Sequence, residues 1–534
     1  MHSVSSNSSR NIVAASITLE SVAPTPAPAG VLRIAVYFGC SSFLLSLIAF
    51  NLVDIDVWHQ MNLIRASLAA GHLLTADPFS YAPTVHPMID HEWGAGVLAL
   101  FFGKWMGAAG ILFLKFAAAF ATLFLTMRTA ERRGASAALL GFTCPLAIGL
   151  LSFGFLSAVR AQAYSFLFAA ALLSALETAR RPDRPKKDSR REHGPDENLG
   201  LWAFLVVFPI WVNVHAGFVV GLGFVFLYCL EQVALNKPAR IALVVLCAML
   251  LEILLNPYGV RYFSYLARAL PMARPRIPEW SPIWTLGGTS TLLFALAVGV
   301  AIYALVQLKT WRISGALLLT ATIVEALLHR KLLPFFAITW LSYVPAYLQR
   351  TLAADWLRRF AQKRRLFLIL AWSTLVVVCL SAAIRQRFWR AEVPQVAGEP
   401  SYPVGAVDYM TAYQFHGNIM VPFRIGSYVS WKLYPAAKVS VDSRYEVAYP
   451  NGWVERVFRF YEADQGTHDN WRETLDAYAT DLVLAPRTSP VLPSLYEMGW
   501  QRVYVDAQFE IAGRPSGQLP AVDRSAFSFA GVFP

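Results

Sequence analysis

The chain has 534 residues, 56% of them hydrophobic, and a mean hydropathy of +0.45. A soluble protein is about 45–50% apolar, and the excess here falls in runs long enough to cross a bilayer, so composition excludes a soluble enzyme and leaves an α-helical polytopic membrane protein. The net charge of +12 sits in short loops between apolar runs, which is the positive-inside pattern, so it does not imply a nucleic-acid partner.

Residues 1–30, rich in Ser, Ala and Pro, are expected to form a disordered tail. The first apolar run, 31–53, is longer than a signal-peptide core and no small-residue cleavage site follows it, so it is expected to stay. Residues 54–93 form a long polar loop with aromatics, Pro and Gly at turn positions. Such loops are functional when ordered, and 57–70 is expected to be an amphipathic helix on the membrane surface. Further apolar runs follow at 94–106, 108–128, 136–157, 161–178, 200–213, 216–235, 240–256, 290–308, 313–328, 331–349 and 366–385. Basic clusters at Arg128/Arg132/Arg133, at 180–191 and at 358–365 mark the cytoplasmic side. If loop 54–93 is outside, one run between 94 and 128 does not cross fully, and 94–106 is the shortest candidate. Roughly 11–13 spans result, with the chain after the last one outside.

Residues 31–390 are thus read as the membrane domain and 391–534 as a separate, extracytoplasmic α/β domain. From Glu392 onward there are 16 Asp+Glu and 11 Lys+Arg. Strands are expected at "KVSVD" and "DLVLAP", a hairpin in "RVYVDAQFEIAG" turning near Asp506–Ala507, and a helix in "DNWRETLDAYA".

Charges at or inside a membrane cost about 2.5–3.5 kcal/mol each on insertion scales and need a reason. "NLVDIDVWHQM" places Asp54, Asp56, Trp58 and His59 at the end of the first run. "TADPFSY" and "HPMIDHEWG" add Asp77, Asp90, His91, Glu92 and Trp93 to the same loop. Carboxylates and imidazoles clustered outside a bilayer suit general-base work. They also offer ligands for a divalent cation such as Mg²⁺ or Mn²⁺, with Asp54 and Asp56 the candidates, although the spacing matches no dedicated metal site. Arg160 and Gln162 open another run; the alternatives for Arg160 are snorkelling to the interface and anchoring a lipid phosphate. Asn213 and His215 lie between two apolar halves, as an interhelical hydrogen bond or as part of a site. Glu252, Asn256 and the loop residues Arg276, Glu279 and Trp280 follow. Glu325, His329, Arg330 and Lys331 crowd a hairpin of apolar runs, which calls for an anionic partner or a water-filled cavity. In the C-terminal part, Arg424, Asp442, Arg444 and Glu446 read either as a surface salt-bridge set or as an acceptor-binding surface. Walker, G-x-G-x-x-G, nucleophile-elbow and H-E-x-x-H patterns are missing.

A first span ending in D-x-D-x-W-H, then "DPFSY", then "HEW" entering the second span, resembles large bacterial integral-membrane glycosyltransferases of the GT-C fold. The groups most like it are relatives of the dolichyl-phosphate-mannose protein mannosyltransferases and of the lipid-A-modifying sugar transferases. "RAQAYSF", "WVNVHAGF", "NPYG", "IPEW" and "GSYVSWKLYPAAKVSVDSRYEV" are similar to recurrent stretches of one bacterial subgroup, so the resemblance covers most of the chain. It implies an enzyme of the bacterial inner membrane, a polyprenyl-phosphate-linked sugar as donor, and a glycan, lipid or protein as acceptor. It also implies an aspartate base in the first outer loop, at Asp56 or, second, Asp54. His59, Asp77, His91, Glu92, Trp93, Arg160, Asn213, His215, Glu279, His329, Arg330 and Lys331 are the expected substrate-binding set, the cations among them meeting charge on the leaving phosphate. The sequence departs from the pattern in two places. Ile55 separates the two acidic residues, and Val57 stands where an aromatic residue is usual. The residues alone leave two further readings, a transporter or flippase with Glu252, Glu325 and Arg160 along a path, and a non-catalytic scaffold. No internal repeat favours the first, and the carboxylate-rich loop speaks against the second.

Overall fold

The computed structural model describes residues 30–158, 160–179, 198–309, 313–393, 395–396, 399–450, 452–463, 471–515 and 519–520. Of the tail expected at 1–30 only Gly30 falls within these residues, and the basic cluster at 180–191 lies outside them. In chain order the membrane part consists of α1 (Gly30–Ile48), α2 (Ile55–Ala70), α3 (Trp93–Met106), α4 (Ala108–Arg132), α5 (Ala137–Ser152), α6 (Gln162–Ala179), α7 (Leu199–Val214), α8 (Phe218–Ala234), α9 (Arg240–Glu252), α10 (Arg261–Ala269), α11 (Ile283–Leu286), α12 (Gly288–Gln307), α13 (Ala316–Leu328), α14 (Leu333–Leu348), α15 (Leu352–Lys363) and α16 (Arg365–Arg385). Every expected apolar run contains one of these helices. Among the described residues five are long and apolar enough to cross a membrane: α1, α4, α5 with the turn after it, α12 and α16. The others are shorter or less apolar. The 14 residues of α3 rise about 21 Å, short of the roughly 30 Å hydrocarbon core, and α9 and α13, of 13 residues each, are shorter still.

The helices pack around α14, which buries every one of its residues against α4, α5, α6, α12 and α13. At the other extreme, α16 leaves Leu366, Phe367, Leu370, Val377 and Val378 exposed. Such a face is stable only against lipid or another apolar surface. Four of the five cysteines are buried as free thiols, while Cys247 is exposed on α9.

Two short parallel strands, β1 (Leu52–Val53) and β2 (Ser157–Ala158), pair Leu52 with Ser157 and Val53 with Ala158. This pairing brings the ends of α1 and α5 side by side. The chain after α16 straps the same point, where Val53 N–H donates to the Glu392 carbonyl and Glu392 N–H to the Asn51 carbonyl. A small antiparallel pair follows, β3 (Gln395–Val396) with β4 (Glu399–Pro400).

The C-terminal unit then runs α17 (Val404–Ala412), β5 (Gly417–Met420), α18 (Phe423–Leu433), β6 (Ala437–Val439), α19 (Tyr445–Ala448), α20 (Trp453–Glu462), α21 (Trp471–Asp476), β7 (Leu482–Pro486), α22 (Val491–Glu497), β8 (Gln501–Val505) and β9 (Phe509–Gly513). Its five-stranded sheet has the order β6-β5-β7-β9-β8. β5 is parallel to β6 and β7, and β9 is antiparallel to β7 and β8. The expected strands and hairpin are present. β5, from "GNIM", is an addition, since four residues opened by Gly carry little strand signal. The expected helix forms as α21; 469–470 of that stretch lie outside the described residues.

Loop 54–93 is the seam between the two parts. Its Phe79 carbonyl accepts from Val439 N–H and its Tyr81 N–H donates to the Val439 carbonyl, so "PFSY" continues the sheet beyond β6. The helix expected at 57–70 forms as α2, but it does not lie on a surface. Val57 to Ile64 are buried in unbroken succession because α3 covers one side and α18 the other.

Candidate active site

The local sequence builds the site from its backbone outward. Asp54 caps α2, its carboxylate accepting from the Asp56 N–H, and this sets Asp56 in the first helical turn. The β1–β2 pairing then carries Arg160 to the same place. Arg160 Nη1 donates to Glu279 Oε2 at 2.9 Å, and Nη2 lies 3.2 Å from both Asp56 Oδ2 and Glu279 Oε1. Nε stands 3.4 Å from Asp54 Oδ2. Lys331 Nζ approaches Glu279 Oε1 at 3.7 Å and sits 4.7 Å from the centroid of the Trp280 ring. The five side chains keep some exposure, from 14% for Asp54 to 32% for Glu279, so a polar ligand has access.

The charges are unequal. Burial first, then the adjacent charge of Asp54, push the Asp56 carboxyl up to about 7, against the pull of Arg160. Burial also works against charge on Arg160, but Asp54, Glu279 and Asp56 outweigh it and hold the guanidinium protonated. Glu279 stays ionised, at about 2, because Arg160 and Lys331 overcome its burial. The cluster therefore has one carboxyl poised to exchange a proton near neutrality, as a general base requires.

Behind it lies a second polar group. Gln60 Nε2 donates to Glu92 Oε2 at 2.6 Å. His91 Nε2 and His215 Nε2 lie 3.3 Å and 3.6 Å from Glu92 Oε1. Hydrogen bonding fixes the His215 tautomer. Trp211 Nε1 donates to Ser165 Oγ at 2.8 Å, so the Ser165 hydroxyl is free to donate to His215 Nδ1 at 2.7 Å. The Gly217 N–H donates to that same nitrogen at 2.9 Å. Nδ1 is thus an acceptor, and Nε2 carries the proton facing Glu92. Burial drives His215 down to about 3, leaving it neutral. Burial raises the Glu92 carboxyl, but the imidazoles, His91 first, hold it well below the usual range.

The remaining expected residues lie elsewhere. Trp93 Nε1 donates to Asn213 Oδ1 at 2.8 Å, and the Asn213 amide donates to the Pro209 and Leu255 carbonyls, which ties α3 to α7. His329 Nδ1 contacts the Trp280 carbonyl at 3.0 Å, and Arg330 lies over the Phe153 ring. Both flank the cluster that Lys331 joins. His59 Nδ1 meets Ser443 Oγ at 2.8 Å. The Asp77 side chain is fully buried and receives both Nη atoms of Arg444 at 3.0 Å, while Arg444 Nε donates to both Asp442 oxygens at 2.9 Å. The reading of Asp442 and Arg444 as a surface salt-bridge set is therefore corrected. They are buried because they face loop 54–93 rather than water. Glu325 is exposed, so it does not line the buried path that a transporter reading needs.

Sequence reasoning missed Gln60, Ser165 and Lys115. The Lys115 ammonium is buried inside the bundle, donating to the Ile48 carbonyl at 2.7 Å and to Asn51 Oδ1 at 2.9 Å, and so caps α1 where β1 begins. Its signal was visible, one lysine in the apolar run "ILFLKFAAAF". Among the described residues no group of three or more His, Cys, Asp and Glu is placed to hold a metal ion. Beside Asp54 and Asp56 the cation is the Arg160 guanidinium, so these residues do not fit Mg²⁺ or Mn²⁺.

No protein-family model matches the chain, and no curated protein matches it. Solved structures do. The Archaeoglobus fulgidus oligosaccharyltransferase tethered with an acceptor peptide aligns with a TM-score of 0.52 at 12% identity, over 85% of this chain and 69% of that one. ArnT from Cupriavidus metallidurans bound to undecaprenyl phosphate aligns with a TM-score of 0.51 at 11% identity, over 92% of this chain and 99% of that one. Its apo form gives the same score over 90% and 97%. At such identities the likeness is one of fold alone, and it agrees with the helices and the C-terminal sheet above: the chain is an α-helical polytopic membrane protein of the GT-C fold with a small α/β unit near its C-terminus.

Proposed function

We propose that the chain is a glycosyltransferase that moves a sugar from a polyprenyl-phosphate-linked donor to an acceptor at the outer face of the inner membrane, with Asp56 as base. The observation that carries this reading is the Asp54–Asp56–Arg160–Glu279–Lys331 cluster at the end of α1. A polyprenyl chain must stay in lipid while its phosphosugar meets water, so such a site belongs at that boundary. The recorded undecaprenyl phosphate of ArnT supports a lipid-linked donor here too. With the C-terminal unit outside, loop 54–93 and that unit face the acceptor.

In the reaction Asp56 takes the proton of an acceptor hydroxyl. The hydroxyl oxygen bonds to the anomeric carbon, the bond from that carbon to the phosphate oxygen breaks, and polyprenyl phosphate leaves with the electron pair. Arg160 and Lys331 meet the charge that develops on it. Asp54 and Glu279 hold Arg160 in the gap until phosphate competes for its donors, and Glu92 fixes the floor of the site through Gln60.

The test uses purified protein in detergent with a panel of polyprenyl-phosphate sugars and acceptors, reading release of free polyprenyl phosphate. Wild type releases it, and Asp56→Asn at equal folding is expected to lose at least about 100-fold, the usual worth of a positioned base. Equal release by both proteins would move the base to Asp54 or Glu92. Because a guanidinium stands where a divalent ion would, EDTA is expected to leave the rate unchanged, and its loss on chelation would refute that part.

A further inference from the structure

Residues 276–280 stand between the two parts of the molecule, and their charges face opposite ways. On one side Arg276 lies on α20. Its Nη2 donates to Glu455 Oε1 at 2.7 Å, its Nε to Glu455 Oε2 at 3.3 Å and its Nη1 to Glu462 Oε1 at 2.6 Å. The guanidinium carbon is 5.6 Å from the centroid of the Phe458 ring. Glu455, Phe458 and Glu462 recur at the spacing of one helix face, so α20 offers two carboxylates and a ring to a single side chain. All three guanidinium nitrogens are used, two of them in a fork on Glu455. On the other side, three residues on, Glu279 takes Arg160 and Lys331.

The link between the two charges is stiff. Pro278 opens a single 3-10 turn, Pro278–Trp280, and the turn is braced. The Arg274 guanidinium carbon lies 4.4 Å, and Lys331 Nζ 4.7 Å, from the centroid of the Trp280 ring. Arg274 is itself tied down, its Nη1 and Nη2 donating to the Met272 and Ala269 carbonyls. Arg330 N–H donates to the Ser281 carbonyl at 3.1 Å. A displacement at Arg276 therefore travels to Glu279 instead of being absorbed on the way.

We propose that Arg276 is a positioning residue: held on α20, it keeps Glu279 against Arg160 and Lys331, so that the C-terminal unit sets the charge around Asp56. The inference rests on the transfer reading above. Asp56 is faced by Asp54, Glu92, Arg160 and Glu279 and by the phenol of Tyr402. Of these, Glu279 alone belongs to the segment that Arg276 holds. Once that segment is released, the Glu279 charge no longer opposes ionisation of Asp56, and Arg160 is left to Asp54 and Asp56. Both changes favour the Asp56 carboxylate. The side chains of Arg276, Glu455 and Glu462 keep 34%, 32% and 49% exposure, so their pairing adds little to global stability and its effect is local.

The experiment compares wild type, Arg276→Ala, Arg276→Lys and a charge swap, Arg276→Glu with Glu455→Arg and Glu462→Arg, as full chains in detergent. Hydrogen exchange read by mass spectrometry needs no substrate. In Arg276→Ala the amides of Trp280, Ser281 and Arg330, all hydrogen-bonded at this turn, are expected to exchange about tenfold faster with the melting temperature unchanged. The charge swap is expected to restore protection, and Arg276→Lys, which cannot form the fork, to keep only part of it. The acid limb of donor release is expected to move to lower pH by on the order of half a unit in Arg276→Ala. Added to Glu279→Gln, the same change is expected to move it no further, because Glu279 is the link. Unchanged exchange in Arg276→Ala would overturn the proposal. So would faster exchange throughout the chain with a lowered melting temperature, which marks a general structural role. Faster exchange at the turn with an unmoved limb, or shifts that add to those of Glu279→Gln, would overturn the connection to Asp56. If wild type releases no polyprenyl phosphate with any donor, the transferase reading falls, and exchange alone decides whether Arg276 holds the turn.

Discussion

At the scale of single residues the decisive quantity is the protonation of Asp56. Its carboxyl titrates near 7 because burial and Asp54 oppose its charge, so below that pH it is protonated and cannot accept a proton. The rate is therefore expected to rise with pH through about 7. Glu279 shapes this limb in two ways: its negative charge raises Asp56 directly, and it occupies Arg160. Both effects vanish in Glu279→Gln, so the limb should move to lower pH by on the order of one unit. A pH–rate profile of the two proteins decides it, and an unmoved or alkaline-shifted limb would contradict the electrostatic account. Asp54, Asp56, Arg160, Glu279 and Lys331 were all legible as polar residues out of place in an apolar sequence. Their convergence was not, since β1 and β2 that align Asp54 with Arg160 are two residues each and leave no periodic trace. Glu92 was legible as a charge, but the Trp211–Ser165–His215 relay behind it depends on three uncharged contacts that no spacing rule reveals.

At the scale of elements, α2 shows why length and pattern predicted a helix but not its surroundings. A buried stretch with no polar face is covered on both sides, and here α3 and α18 do the covering. The approach of α3 is close: a Cβ at Gly96 would stand 2.6 Å from the Gln60 carbonyl oxygen and 2.8 Å from the Ile64 side chain. The carbonyl belongs to backbone and cannot rotate away, so Gly96→Ala must push the helices apart. A cost of about 1–3 kcal/mol is expected, as for other overpacked contacts, read as a lower melting temperature in detergent. Because Gln60 holds Glu92, the same variant should lower the rate of donor release. A variant as stable and active as wild type would show that α2 and α3 have slack here. The spans tell a similar story. Each apolar run yields a helix, yet among the described residues five are long and apolar enough to cross alone, because helices packed inside a bundle are set by their neighbours rather than by bilayer thickness.

At the scale of the whole molecule, the two parts are joined through one buried charge set. Arg444 bonds Asp77 of the loop and Asp442 of its own unit, with side-chain exposures of 1%, 0% and 1%. Asp77 and Arg444 are far apart in sequence, so nothing local announces the pair, and "DPFSY" and "VDSRY" remain separate motifs until the fold sets them together. The geometry makes the set asymmetric under mutation. Arg444→Met leaves two carboxylates buried side by side without a counter-charge, expected to cost about 3–5 kcal/mol. Replacing all three with apolar or amide groups of similar size, as Arg444→Met with Asp77→Asn and Asp442→Asn, removes the stranded charge and should recover most of that loss. The measurement is thermal melting in detergent combined with limited proteolysis, in which the single variant is expected to release the C-terminal unit early and the triple variant is not. The consequence should also reach the site: Ser443, between the two charged residues, holds His59, one helical turn beyond Asp56. Loosening the clamp therefore lets α2 shift, and the single variant should lose donor release at temperatures where it is still folded. If Arg444→Met melts and turns over like wild type, the two parts are held by other contacts, the apolar ones and the backbone hydrogen bonds of Phe79 and Tyr81 with Val439 among them, and the charge set serves no clamping role.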